Sequence, residues 1–214
     1  MSEDMTFSHY KKISDAIVKE IKAGVDGIII GHGTDTLAVT SAALAFILEN
    51  LSIPVILVGS QRSSDRGSTD AAMNLICAAN FIANADFSGV ALCMHESTAD
   101  NTCLILPACK TRKLHTSRRD AFKVVNDKAI ARVDYETKKI EFLKEYDKKS
   151  DKKLVVKDKL DDKVAVLRVY PNMNSDLIDA LTKKKYKGLV LEGSGIGHAP
   201  TNIKENLKNY EALK

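Results

Sequence analysis

The fold is decided by the stretch from Val25 to Gln61, which reads VDGIIIGHGTDTLAVTSAALAFILENLSIPVILVGSQ. Its first part, Val25 to Ile30, is an apolar run with the length of a buried strand, and Ile53 to Val58 is a second such run. Residues 36–50 between them place apolar side chains at helical spacing. This order of strand, helix and strand predicts a parallel strand pair joined by a crossover helix.

The same alternation continues on both sides of this stretch. Residues 8–23 have the helical pattern and end at Gly24, and residues 70–83 repeat the pattern before an apolar run from Gly89 to Met94. Repeated crossovers of this kind predict an α/β domain with a mainly parallel sheet and helices on both of its faces. Ligands are then expected at the carboxyl ends of the strands.

Shorter segments follow, and they are expected to close the edge of this first domain. The pattern predicts strands at Cys103–Leu106, Ala131–Asp134 and Ile140–Leu143. The first domain is accordingly predicted to span residues 1–143.

A charged segment divides the chain. Residues 144–163 read KEYDKKSDKKLVVKDKLDDK, and so dense a run of charge with few apolar residues predicts a solvated linker. After it, residues 164–214 begin a second α/β unit with a strand, a helix and another strand. One such unit is too small to enclose a core of its own, so we expect a truncated second domain.

The composition is that of an ordinary globular protein. Of its 214 residues 44% are hydrophobic and 28% charged, and the net charge of +4 alone predicts no nucleic-acid groove. No apolar run approaches the ~20 residues that span a bilayer, so a cytoplasmic protein without a membrane segment is expected. The cysteines form no CxxC pair and the histidines no HxxxH pair, which predicts no metal site.

The motif Gly31-His32-Gly33-Thr34-Asp35-Thr36 follows the first predicted strand and opens a helix. Glycines permit a tight turn there, and the N–H groups of the helix N-terminus can bind an anion. From spacing alone, Thr34 or Asp35 can equally be a plain helix cap, because both residue types are favoured at that position.

The whole string HGTDT, with the helix and the strand IPVILVGSQ after it, resembles the asparaginase family. The resemblance implies that Thr34 activates or attacks the amide carbon of a substrate. It also implies that Asp35 holds the substrate's α-ammonium group.

The segment RKLHTSRRDAF, residues 112–122, resembles the part of the same family that carries its catalytic lysine. This match makes Lys113 the expected base, since a hydroxyl such as that of Thr34 is a poor nucleophile without one. A buried ammonium beside other positive charge is biased toward the neutral amine that a base must be. Without the resemblance, Lys113 would be interpreted as a surface residue of a basic run.

Three further residues match positions that bind the substrate in that family. Ser2 and Glu3 match a loop that grips the α-carboxylate and α-ammonium groups, and Ser60 follows the second strand at the same rim. From the residues alone, Ser2 and Glu3 are an ordinary helix start.

Within the family, the strings QRSSDR and LHTSRRDAF resemble the D subunits of archaeal glutamyl-tRNA(Gln) amidotransferases more than free-standing asparaginases. That resemblance implies an amide amino acid as substrate and ammonia for the conversion of Glu-tRNA(Gln) to Gln-tRNA(Gln). It implies a partner, the amidotransferase E subunit, through which the tRNA is mainly bound and which uses ATP and Mg²⁺. It also implies a homodimer and no cofactor in the chain itself. A cytoplasmic L-asparaginase and a non-catalytic remnant that binds an amino acid or a partner are the alternatives.

One further feature of the family has no match in this sequence. Its members carry a first nucleophilic threonine in a GGT motif, followed by a mobile loop with a tyrosine, and this chain contains no GGT. The matching segments begin at the Ser2 loop, so we expect an internal piece of a longer protein.

We therefore predict that this chain by itself releases little or no ammonia from asparagine or glutamine. Loss of one member of a cooperating catalytic set commonly costs several orders of magnitude in rate. Ammonia assays on the purified chain measure this, and rates near those of complete family members would contradict it.

Overall fold

A computed structural model describes residues 1–213 of the chain. The chain divides into two compact units, Met1–Asp158 and Lys159–Lys214. The helices are α1 (Phe7–Lys22), α2 (Leu37–Ile47), α3 (Ala71–Asn84), α4 (Asp176–Lys183) and α5 (Leu207–Leu213). The strands are β1 (Ile28–Gly31), β2 (Leu48–Glu49), β3 (Pro54–Val58), β4 (Gly89–His95), β5 (Thr102–Pro107), β6 (Thr111–Lys113), β7 (Phe122–Val124), β8 (Ala131–Asp134), β9 (Ile140–Phe142), β10 (Val155–Val156), β11 (Val164–Arg168) and β12 (Gly188–Glu192).

The first unit is built on a six-stranded mixed sheet with the strand order β1-β3-β4-β5-β8-β9. The pairs β1–β3 and β3–β4 are parallel, and the three remaining pairs are antiparallel. The predicted α/β class with flanking helices is confirmed, and its parallel part is limited to three strands. The change of direction has a simple cause, because residues 96–101 between β4 and β5 are too few for a crossover.

Both faces of the sheet are buried, which explains the continuous apolar run of β3. Val55 and Leu57 point into a cluster with α1 and α2, whereas Ile56 and Val58 point into a second cluster with α3. Side chains alternate between the faces of a strand, so a strand covered on both sides is apolar at every position. All five residues of β3 are buried accordingly.

Helix α2 ends earlier than the pattern predicted. It was expected to continue to Asn50, but Leu48 and Glu49 leave the helix and form β2, which pairs antiparallel with β10. Asn50 then has a positive φ of 60°. Tertiary pairing with a distant strand therefore overrides the local helical propensity at this end.

The charged segment 144–163 differs from a free linker over most of its length. Residues 144–158 belong to the first unit, and the two units divide between Asp158 and Lys159. Ser88 Oγ donates a hydrogen bond to the Lys148 carbonyl at 2.9 Å, and the Lys149 N–H donates to the Asp86 carbonyl at 2.9 Å. Backbone groups make these contacts, and they leave the lysine and aspartate side chains exposed, so the charge pattern did not reveal them.

The second unit contains β11 and β12 as a parallel pair, with Val164 opposite Gly188, together with α4 and α5. After β12, a 3-10 turn at Lys204–Asn206 leads directly into α5. Asn209 is buried and donates hydrogen bonds to the carbonyls of Met173 and Pro200. None of the helices described over residues 1–213 is long and apolar enough to cross a membrane.

We predict that Phe81→Ala destabilises the first unit by about 3–5 kcal/mol, because it removes a large side chain from a closed core. Phe81 is fully buried in α3 and packs against Phe87 at a ring distance of 5.6 Å. Urea unfolding followed by circular dichroism measures the loss. The matched control is Phe46→Ala in α2, since Phe46 is 73% exposed and should change the free energy of unfolding by less than about 0.5 kcal/mol. Equal effects of the two substitutions would show that α3 does not pack as described.

Candidate active site

The turn between β1 and α2 carries the first two candidate residues. β1 ends at Gly31, and the turn holds its shape through His32, whose Nδ1–H donates to the Gly33 carbonyl at 2.7 Å. The other ring nitrogen of His32 lies 3.0 Å from Thr40 Oγ1 in the first turns of α2. The side chains of Thr34 and Asp35 therefore stand at the carboxyl end of a parallel strand.

A hairpin formed by β6 and β7 brings Lys113 to this turn. Lys113 pairs with Phe122, whose buried ring anchors the hairpin in the core. The Lys113 side chain is 14% exposed, and its Nζ donates to Thr34 Oγ1 at 2.9 Å and to Asp35 Oδ1 at 2.8 Å. Residues 79 positions apart thus form one hydrogen-bonded group of hydroxyl, carboxylate and amine.

The charge beside Lys113 differs from the expectation. Neighbouring positive charge was expected to favour the neutral amine, but the group in contact with Nζ is the carboxylate of Asp35. Arg118 pairs with Asp120 and Arg119 pairs with Asp100, so these two of the three arginines of the hairpin are paired with other acids. The charge in direct contact with Lys113 is therefore negative, whereas a positive one was expected.

Two glycines allow neighbouring residues to pack tightly against each other at this turn. A Cβ atom on Gly59 would lie 2.8 Å from Thr34 Cγ2, and one on Gly33 would lie 2.7 Å from Ser2 Oγ. Ser2 is also tied to the turn, since Thr36 Oγ1 donates to the Ser2 carbonyl at 2.7 Å. Of the predicted substrate-binding residues, Ser2 thus packs directly against the HGTDT turn.

The structure does not bring Glu3 and Ser60 into the same hydrogen-bonded group. Glu3 is exposed in the 3-10 turn Ser2–Asp4, and within residues 1–213 its side chain makes no hydrogen bond or ion pair. The Ser60 hydroxyl is directed into its own loop, where it donates to Asp70 Oδ1 at 2.9 Å and contacts the Arg62 carbonyl. Their roles in substrate binding remain predictions.

Asp70 is a residue of the site region that sequence reasoning missed. It is fully buried and precedes α3, and its carboxylate accepts hydrogen bonds from the Gln61 N–H, the Arg62 N–H and Ser60 Oγ at 2.9–3.0 Å. Burial acts to raise the pKa of Asp70, but these hydrogen bonds outweigh it, so the pKa lies below its usual value. Asp70 therefore holds the loop after β3 through a buried charge. Its position before a helix was the one available signal, and it indicates only a cap.

The Cys77 thiol gives no alternative nucleophile. Cys77, Cys93 and Cys103 are buried, and a hydrogen bond with Cys103 together with burial raises the pKa of Cys77. A thiol that stays protonated is neither a nucleophile nor a metal ligand. Within residues 1–213, no group of three or more histidine, cysteine or acidic side chains could hold a metal ion.

A hydroxyl, an amine and a carboxylate at the rim of parallel strands are the kinds of group that hydrolases with an activated nucleophile use. Residues 1–148 match the family described as "Asparaginase, N-terminal", and residues 163–213 match "Glutaminase/Asparaginase C-terminal domain". The chain therefore belongs to the asparaginase family.

Curated relatives confirm the resemblance to archaeal amidotransferase subunits. The D subunit of glutamyl-tRNA(Gln) amidotransferase from Pyrococcus furiosus is 50% identical over 208 residues, which cover 97% of this chain and 47% of the relative. The D subunit from Methanosarcina barkeri is 44% identical over 201 residues, or 94% of this chain and 47% of the relative. The chain thus spans about half the length of the curated relatives it matches.

Solved structures show the same fold. The thermostable L-asparaginase from Thermococcus kodakarensis superposes with a TM-score of 0.85 at 29% identity, over 99% of this chain and 60% of that one. L-asparaginase I from Vibrio cholerae gives a TM-score of 0.83 at 28% identity, over 100% of this chain and 62% of that one.

We predict that Asp70→Asn lowers the free energy of unfolding by about 1–3 kcal/mol at pH 7, because the buried donors around it lose their charged acceptor. Because the pKa of Asp70 is lower in the folded chain than in the unfolded chain, its carboxylate stabilises the fold at any pH above the unfolded-state pKa of about 4. This stabilisation is lost as the pH falls through the folded-state pKa. The difference in free energy of unfolding between wild type and Asp70→Asn, measured by urea titration, should therefore become smaller below pH 4. Asp65→Asn is the matched control, since Asp65 is exposed in the same loop. A difference in unfolding free energy that stays constant from pH 7 to pH 3 would contradict a stabilising role of the Asp70 charge.

Proposed function

We propose that the protein that carries this chain hydrolyses the side-chain carboxamide of glutamine or asparagine and releases ammonia. The observation that carries the proposal is the 2.9 Å contact between Lys113 Nζ and Thr34 Oγ1. A threonine hydroxyl becomes an effective nucleophile when a base within hydrogen-bond distance accepts its proton. Lys113 stands at that distance.

In the proposed reaction, the neutral amine of Lys113 accepts the hydroxyl proton of Thr34. The Thr34 oxygen then attacks the amide carbon, or accepts the proton of a second hydroxyl that makes the attack. As the new C–O bond forms, the carbonyl π electrons move to oxygen. Collapse of this intermediate breaks the C–N bond, and Lys113 returns the proton to the nitrogen, which leaves as ammonia. Water cleaves the resulting ester by the same proton transfers.

The carboxylate of Asp35 links substrate binding to this proton transfer. Asp35 is 64% exposed, so an incoming α-ammonium group can reach the carboxylate that now pairs with Lys113. The substrate cation competes with Lys113 for that carboxylate, so its arrival weakens the contact between Asp35 and Lys113 and leaves Thr34 as the remaining partner of Nζ. We also propose that the substrate's α-amino and α-carboxylate groups are bound by Ser2, Glu3 and Ser60.

The proposed use of the ammonia is the amidation of Glu-tRNA(Gln). The proposal is supported by the names of the curated relatives, which are D subunits of glutamyl-tRNA(Gln) amidotransferase with up to 50% identity. A partner, the amidotransferase E subunit, would then make most of the contacts with the tRNA and would bind ATP and Mg²⁺. The protein that carries this chain needs no cofactor in this proposal. We propose a homodimer for the complete protein.

A free L-asparaginase is the second candidate function. It is favoured by the TM-score of 0.85 to the L-asparaginase from Thermococcus kodakarensis. The two candidates differ in the fate of the ammonia, so coupling of hydrolysis to Glu-tRNA(Gln) in the presence of the partner discriminates between them.

We predict that Lys113→Met or Thr34→Val lowers the rate of ammonia release by at least about 10³-fold. Each substitution keeps a side chain of similar size and removes one of the two cooperating groups. The test uses a chimera in which the segments that extend the Pyrococcus furiosus relative beyond this match are joined to both ends of the chain. Ammonia release from glutamine and asparagine is measured.

Two controls belong to that experiment. Lys110→Met removes an exposed lysine just before the same hairpin, and Thr34→Ser keeps a hydroxyl at position 34, so both should retain activity within about tenfold. Nearly full activity of Lys113→Met would assign the base to another residue.

A further inference from the structure

The hairpin that carries Lys113 is fastened at its tip by the guanidinium of Arg119. Arg119 Nη1 donates to Asp100 Oδ1 at 2.5 Å, and Nη2 donates to the Ser68 carbonyl at 2.5 Å. Nη1 also reaches the Thr98 carbonyl at 3.4 Å. The side chain is 13% exposed, so these charge-assisted bonds are largely shielded from water.

The partners of Arg119 lie on the two loops that follow β3 and β4. Ser68 belongs to the loop that Asp70 holds, and Asp100 belongs to the loop after β4. Asp100 is held in turn by the buried His95, whose Nε2 lies 3.1 Å from Asp100 Oδ1. Through Arg119, the tip of the hairpin is thus connected to the rim of the parallel strands at two separate loops.

We propose that Arg119 is a positioning residue that keeps Lys113 within hydrogen-bond distance of Thr34. β6 and β7 are short, with three residues each, so the hairpin has few ladder bonds to hold its direction. An arginine fork can bind a carboxylate and a carbonyl at once, which a single ammonium does with less geometric control. Only the naming of Lys113 as a base rests on the proposed function, whereas its placement by Arg119 does not.

Arg118 provides a matched comparison. It is the adjacent arginine of the same hairpin, but its guanidinium binds Asp120 two residues away and so stays within the hairpin. Removal of the Arg118 side chain costs a local ion pair. Removal of the Arg119 side chain costs its contacts with Asp100 and Ser68, whereas the hydrogen bond from Gln61 Nε2 to the backbone carbonyl of residue 118 is available in both variants.

The test measures the acetylation rate of each lysine in the full chain, by brief treatment with acetic anhydride followed by mass spectrometry. Arg119→Met should raise the rate at Lys113 by about tenfold, because the hairpin opens more often without its tip contacts. Arg118→Met should change it by less than about twofold. Arg119→Lys should give an intermediate rate, since lysine keeps the charge and loses the fork.

Lys144 serves as the internal reference, because it is partly buried and paired with Asp127 outside the hairpin. An equal rise at Lys144 would indicate general loosening of the unit and would overturn the proposal. Equal rates at Lys113 in the Arg119→Met and Arg118→Met variants would overturn it as well, and so would full restoration by Arg119→Lys. None of these three acetylation results requires the protein to turn over a substrate, so the proposed amide hydrolysis is tested separately.

Discussion

The parallel register of β1, β3 and β4 is the constraint on which the rest of the first unit depends. Gly31 pairs with Val58 and Val58 with Cys93, so β1 and β3 end at the same level and β4 continues for two more residues to His95. Their following loops are thereby brought to one edge of the sheet, where side chains can vary without disturbing the buried strands. The register is itself secured by burial on both faces, because a shift by one residue would exchange the two core clusters.

Polar groups near this edge are held by hydrogen bonds rather than by exposure to water. The buried carboxylate of Asp70 is compensated by backbone N–H groups and a hydroxyl, and the buried imidazole of His95 lies between Asn74 and Asp100. Asn74 also donates to Asp70, which joins these residues into one network beneath the rim. Such a network stabilises one arrangement of the loops, because each member left without a partner would be costly.

The antiparallel half of the sheet serves a different purpose from the parallel half. β5, β8 and β9 extend the sheet without crossover helices, and the β6–β7 hairpin arises from the same part of the chain. Lys113 consequently reaches the site from a hairpin, whereas Thr34 and Asp35 stand on a strand-to-helix turn. The site thus combines a rigid turn with a hairpin that needs contacts at its tip.

The sequence by itself determined the order and type of most elements and the identity of the turn that carries Thr34. These features are local, because helical and strand periodicities and glycine-rich turns are properties of neighbouring residues. It also indicated Lys113, although through resemblance to a family and not through spacing. The end of α2 and the attachment of residues 144–158 were decided elsewhere in the chain, since both rest on backbone pairing with distant segments.

Only the tertiary structure decided which charges meet. The contact of Asp35 with Lys113 and the contacts of Arg119 join segments that are far apart in sequence, and Asp70 folds the loop after β3 onto its own carboxylate. Several of these contacts use backbone N–H or carbonyl groups, which nearly every residue possesses and which therefore leave no mark in the pattern of side chains.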